Sequence, residues 1–270
     1  MNKLNIFGRI TAMAVLVFTA TSCNTTNDSD PTLDLMPINS VTVDGYTVSL
    51  ESDNELETGS NDLYWKIEQD GNMITPQSIT INPMMDMVEM NMMHSTPFEQ
   101  PQTAEEDDRY FKNMAVFIMP SGMGNWTVNF EITLQNDEVI SGEMPIEVNS
   151  SWRLTSVQHE QSGDVYFITW HSPNKPVVGE NDLTFLVHTR ASMMNFPAVS
   201  DIEMDVYPYM DMGGGSGHST DYATPTATGN GAYEGSINYS MSGTWTTSVE
   251  LIVENDTLPE VVFEYSVQAE

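Results

Sequence analysis

From Tyr46 onward the chain carries runs in which apolar and polar residues alternate one by one. Leu63, Trp65 and Ile67 alternate with Tyr64, Lys66 and Glu68, and Leu183, Phe185 and Val187 alternate with Thr184, Leu186 and His188. Upstream of these runs, Tyr46, Val48 and Leu50 match Tyr166, Ile168 and Trp170. Downstream, Trp126, Val128, Phe130 and Ile132 match Trp245, Thr247, Val249 and Leu251. Period-two alternation rich in β-branched and aromatic residues predicts half-buried strands. Beyond the first residues no window carries a helical period. The landmarks recur in the same order, which predicts a duplication, Met36–Val148 and Trp152–Val267, joined near Asn149-Ser150-Ser151.

Each half carries about seven strand-like runs cut by Gly, Asn, Asp and Pro turns, a rhythm that predicts an immunoglobulin-like sandwich of two antiparallel sheets. The expected fold is therefore all-β, two tandem sandwich domains at residues 36–148 and 149–270. Cys23 is the only cysteine, so no disulfide can join the sheets. Buried aromatics must stabilise the cores instead, each at about 1.5–3 kcal/mol. Trp126 and Trp245 are the first candidates.

The start of the chain has a different pattern. Lys3 and Arg9 precede an apolar run from Ile10 to Phe18, then Ala20-Thr21-Ser22-Cys23. The run is shorter than the about 20 residues of a bilayer span and has the layout of a signal peptide. Small residues before a lone cysteine resemble a bacterial lipoprotein signal, with Ala20 where leucine is usual. The expectation is a signal peptide over 1–22, lipidation at Cys23, and a flexible tether over 23–35, where Asn, Thr, Asp, Ser and Pro dominate.

The chain carries 39 Asp+Glu against eight Lys+Arg, and the leader would take Lys3 and Arg9 with it. So acidic a surface disfavours nucleic acid and anionic headgroups and gathers cations. The lipid would provide the membrane attachment, on the periplasmic or outer side.

Two stretches share one frame. Pro83 to Thr96 reads PMMDMVEMNMMHST and Pro208 to Thr220 reads PYMDMGGGSGHST. Each runs from proline through Met-Asp-Met and a spacer to His-Ser-Thr. In an extended backbone Met210 and Met212 share a face, Pro208 ends its strand, and the glycines let His218 fold back toward both sulfurs. Met85, Met87 and His94 hold the same places in the first half, with a spacer that has no glycine, and six methionines fall between Met84 and Met93. Thioethers with one imidazole form a soft donor set that suits Cu(I). The bland account is that methionines fill irregular core gaps or form a partner surface. Met119, Met123 and Met241 fit that account, and His159, His171 and His188 are expected to be solvated.

In the second half, Asn181-Asp182-Leu183, Pro208-Tyr209-Met210-Asp211-Met212, His218, Gly231-Ala232-Tyr233-Glu234-Gly235 and Met241-Ser242-Gly243-Thr244-Trp245 together resemble the YtkA-like domain, which is related to the FixH proteins of periplasmic copper-oxidase assembly. The resemblance implies an exported immunoglobulin-like sandwich and copper handling at Met210, Met212 and His218. In the first half Pro83, Met85, Met87, His94 and Trp126 keep the pattern. The Gly-x-Tyr turn is replaced there by Asp108-Arg109-Tyr110-Phe111, and the Met-Ser-Gly-x-Trp entry is expanded to Met119–Trp126.

No phosphate-binding glycine loop, dinucleotide fingerprint, His-Glu-x-x-His or nucleophile elbow occurs, so no catalysis is expected. The sequence points to a lipid-anchored copper-binding protein with a copper-accepting partner. The alternatives are a structural or adhesive surface lipoprotein without metal and an assembly factor for a membrane oxidase.

Overall fold

The computed structural model describes residues 33–105 and 107–269. The leader, Cys23 and the tether up to Thr32 lie outside the described residues. The first half contains β1 (Met36–Val43), β2 (Tyr46–Ser52), β3 (Gly59–Gln69), β4 (Asn72–Ile74), β5 (Ser78–Met87), β6 (Met92–His94), β7 (Gln102–Thr103), β8 (Phe111–Phe117), β9 (Asn125–Thr133) and β10 (Val139–Ile146). The second contains β11 (Leu154–Gln158), β12 (Val165–Ser172), β13 (Gly179–Thr189), β14 (Glu203–Gly213), β15 (Ser216–His218), β16 (Asp221–Gly229), β17 (Ala232–Tyr239), β18 (Gly243–Val253), β19 (Asp256–Thr257) and β20 (Val261–Val267). Among the described residues no α-helix occurs, only short 3-10 turns at Val88–Met90 and Ser121–Met123.

The two halves repeat one topology. One sheet runs β1-β2-β3-β8-β7 in the first half and β11-β12-β13-β17-β16 in the second. The facing sheet runs β10-β9-β5-β6 in the first, and β15-β14-β18 with β20 beside β18 in the second. These are tandem immunoglobulin-like sandwiches. Alternate residues turn inward, so each half closes over its own apolar cluster. Trp126 and Trp245 are buried at equivalent places. The Trp126 indole donates to Met119 O at 2.8 Å and the Trp245 indole to Met241 O at 3.1 Å. Phe117 packs on Trp126 and Tyr239 on Trp245, each with ring centroids 5.2 Å apart.

The Asn-Asp-Leu signature has a structural cause. Asn61 donates to Glu57 O and Gly59 O and accepts from Glu57 N. Asn181 does the same with Val177 and Gly179. Each asparagine closes a local ring of backbone bonds where a long strand begins.

Among the described residues the sandwiches meet at their joint and again farther along. Thr58 N donates to Asn149 O at 2.8 Å, and the Thr58 hydroxyl accepts from Ser151 N at 2.8 Å. Farther along, Ser95 N donates to Met193 O at 2.8 Å, so a turn of the second half sits against the His-Ser-Thr segment of the first.

One expected strand end is corrected. Pro208 does not stop its strand; β14 continues to Gly213, with Pro208 opposite Thr247. Its carbonyl accepts from Ser219 Oγ. In an extended chain a residue's N and O face the same edge, so the missing N–H falls on the side away from β18, where proline is tolerated.

Candidate functional site

The first-half site grows from the β5–β6 hairpin. After Met87 the chain makes one 3-10 turn, and Asn91 reverses it at φ 48°, a left-handed geometry that asparagine tolerates. The register then sets Met85 opposite His94, Asp86 opposite Met93 and Met87 opposite Met92. Directly opposed residues share a face about 4.5–5.5 Å apart at Cβ. Met85, Met87 and His94 therefore share the buried inner face, and Met92 continues that face at its exposed edge. Trp126 flanks Met85 on the other side. Asp86 and Met93 face out.

His94 is only 2% exposed. Its Nδ1 donates to Ser95 O at 2.7 Å, because a carbonyl can only accept, so Nε2 carries the lone pair. That Nε2 is buried without a partner. The ring stands edge-on to Trp126, with centroids 5.4 Å apart at 88°. The next two residues latch the sheets: Ser95 Oγ donates to Pro83 O at 2.8 Å, and Thr96 Oγ1 to Val116 O on β8.

The second half repeats the latch bond for bond. His218 lies opposite Met210, its Nδ1 donates to Ser219 O at 2.9 Å, and its Nε2 is again buried without a partner. Its ring is 5.4 Å from Trp245 at 87°. Ser219 donates to Pro208 O, and Thr220 to Asn238 O.

The donor sets differ. Gly213, Gly214 and Gly215 all take positive φ, and the register shifts between Asp211 and Gly213. Met212 falls in that irregularity and is 61% exposed. The expected shared face for Met210 and Met212 is thus corrected: Met210 is buried opposite His218 and Met212 points outward. In the first half Met85 and Met87 do share the buried face. Met92, which the sequence offers only as spacer, lies opposite Met87 by register but at the open end of the hairpin, 38% exposed. Among the described residues no three His, Cys, Asp or Glu gather closely enough to hold a metal; the register instead sets methionines opposite one imidazole.

The remaining histidines are not simply solvated. His159 is buried, with Nε2 3.0 Å from Asp256 and Nδ1 2.9 Å from Ser162 Oγ. His171 is half-buried and bonds Ser60 across the domain joint at 2.9 Å; desolvation lowers its pKa. His188 is buried with Nδ1 unpartnered, and desolvation holds its pKa down at about 4. Met119 packs on the first core, while Met123 and Met241 are exposed.

Residues 160–250, which include Met210, Met212 and His218, match the model of the YtkA-like family. The second half carries a YtkA-like domain. Solved structures similar to the chain include the Escherichia coli adhesin FdeC, at 14% identity over 84% of this chain and 66% of that one, with a TM-score of 0.26. A conserved domain protein from Bacillus anthracis matches at 10% identity over 87% and 91% of the two chains, TM-score 0.29. The D00-D0 domain of intimin matches at 11% identity over 81% and 98%, TM-score 0.24. No curated protein matches the chain at comparable significance.

Proposed function

We propose that the protein is a lipid-anchored, extracytoplasmic copper-binding module. Its principal donors are the thioethers of Met85, Met87 and Met92 with the Nε2 of His94, and Met210 with His218 forms a lesser pair. The observation that carries this reading is the bare Nε2. In both halves a backbone carbonyl fixes the imidazole tautomer and leaves a buried lone pair with no partner, across the register from a methionine. An orphaned buried acceptor costs about 1–3 kcal/mol, and here the cost recurs at equivalent positions. A soft monovalent cation would satisfy that nitrogen and accept the adjacent sulfurs. The YtkA-like match over residues 160–250 supports the reading, because that family resemblance implies copper handling. The proposal includes an anchor at Cys23, a copper-accepting protein partner and no catalytic role. The acidic surface favours cations over nucleic acid.

A second reading is favoured by the latch itself. Met85 and Met210 belong to the apolar cores, and Ser95, Thr96, Ser219 and Thr220 tie sheet to sheet. On that account the hairpins only close two spacer or adhesive modules. Competition with a chromophoric Cu(I) chelator separates the two. Uptake by the wild type that is lost in His94→Gln/Met87→Leu is the expected result; uptake no greater than that of an unrelated acidic protein leaves the spacer account.

A further inference from the structure

A cavity of about 280 Å³ lies between the 3-10 turns Val88–Met90 and Ser121–Met123. Met87, Met90 and Met123 line it, with Asp86, Glu89 and Asn125. Met90 is 60% and Met123 52% exposed, whereas Met87 is buried. Met87 thus belongs both to this cavity and to the inner face that carries Met85 and His94. Gly124 forms the adjoining wall. A Cβ there would lie 2.8 Å from Asp86 O, 2.9 Å from Met85 Cγ and 3.2 Å from Met85 Sδ. A side chain at this position would therefore collide with the Asp86 carbonyl and crowd the Met85 side chain, so glycine keeps this wall bare.

Single exposed methionines need no explanation. Three around one cavity, one of them shared with a buried sulfur and imidazole set, form a path of soft donors from solvent inward. We infer that this cavity is the port through which Cu(I) is acquired: Met90 and Met123 capture the cation with Met87, and Met87 passes it to Met85 and His94. The inference rests on the copper reading above. The transfer is ligand exchange, in which one sulfur lone pair replaces another while the metal stays Cu(I), with no proton or electron moved. Asp86 and Glu89 would raise the local cation concentration without being soft donors themselves. The second half offers Gly213–Gly215 where the first has Val88–Met90, so the port belongs to the first half alone.

Stopped-flow mixing of the full chain with Cu(I)–bicinchoninate, followed by chelator absorbance and tryptophan fluorescence, tests the port. Met90→Leu/Met123→Leu should load about tenfold more slowly yet reach wild-type occupancy, whereas His94→Gln should lose occupancy. Both rim side chains are exposed, and an unchanged thermal midpoint checks the fold. Loading of the double variant at the wild-type rate would overturn the port and leave the copper site standing. No uptake by the wild type would overturn both. As a second measurement, Ag(I) titrated into the chain carrying ¹³C-methyl methionine should shift the Met90 and Met123 methyl signals; unmoved signals during Met85 or Met87 binding count against the port.

Discussion

The two hairpins share every bond of a latch and differ in what the latch encloses. In each, His-Ser-Thr crosses from one sheet to the other, with the imidazole Nδ1 on the next carbonyl and the serine on the proline carbonyl. In the first, the turn through Asn91 keeps the ladder in register for a second rung, Met87 opposite Met92. In the second, three glycines at positive φ shift the register, and Met212 swings into solvent. Burial differs too: the Met193 turn of the second half sits against Ser95 beside a fully buried His94, whereas His218 stays half-exposed. The frame residues fix one bare imidazole per half; the spacer decides how many sulfurs accompany it.

The sharpest way to break this comparison is to remove donors pair by pair. His94→Gln should weaken Cu(I) binding by about a thousandfold, more than the ten- to hundredfold typical of losing only a ligand's supporting partner. Met92→Leu should cost about tenfold, or 1.4 kcal/mol, and Met212→Leu should leave affinity unchanged. Competition titration reads all three. If Met212→Leu cost as much as Met92→Leu, the asymmetry between the hairpins would be wrong.

A second contrast lies on the outer sheet faces. His188 on β13 is buried beneath the segment that pairs Ala198 with it, and Phe196 packs on neighbouring Phe167 at 5.9 Å. The equivalent first-half position is Glu68, on the surface beside Lys66 at 3.5 Å. Burial holds the His188 pKa at about 4, against about 6.5 when unfolded. The unfolded chain therefore takes up a proton that the folded chain refuses. Stability is fully present above pH 6.5, declines as pH falls toward 4, and levels off below it. The total loss is about 3 kcal/mol, and desolvated His171 adds in the same direction. Urea unfolding at pH 7, 5.5 and 4 should show the decline, and His188→Leu should flatten most of it.

The cores offer a smaller contrast. Tyr239 donates to the Tyr265 hydroxyl at 2.7 Å, and Thr247 lies 2.6 Å from the same oxygen. Burial raises both phenols, Tyr265 to about 12 and Tyr239 further. The first half places Phe117 and Val128 where the second has Tyr239 and Thr247. Phe117→Tyr should therefore bury a hydroxyl without a partner and cost about 1–3 kcal/mol, while Tyr239→Phe should cost only about 1 kcal/mol. Urea midpoints would reverse that order if the cores were interchangeable.

Much of this was legible in the sequence, and the failures share a cause. Alternation along Leu63–Ile67 and Leu183–Val187, the repeated landmark order and the two buried tryptophans follow from local pattern, because each strand carries its own period. Met92 could not be recognised without the hairpin register, since only the Asn91 reversal brings it opposite Met87. Met212 was misplaced because a glycine run hides a register shift that alternation cannot see. His159 and His188 looked solvated because what buries them is distant or non-periodic: Asp256 lies 97 residues from His159, and Phe196 sits on an irregular segment. The proline was misread as a strand end because its free edge depends on which neighbour has not yet begun.

The smallest test isolates burial from bonding. Ser95 and Ser219 make the same hydroxyl bond to a proline carbonyl, at 2.8 and 2.7 Å. Ser95 is fully buried and Ser219 is only half-buried. Water can replace a lost donor only where it can reach the carbonyl, so equal bonds should have unequal worth. Ser95→Ala should cost about 1 kcal/mol and Ser219→Ala less than about 0.5 kcal/mol in urea unfolding. Equal costs would mean that the Met193 turn does not seal the first latch from solvent. The contrast between a closed and an open hairpin would then rest on the donor sets alone.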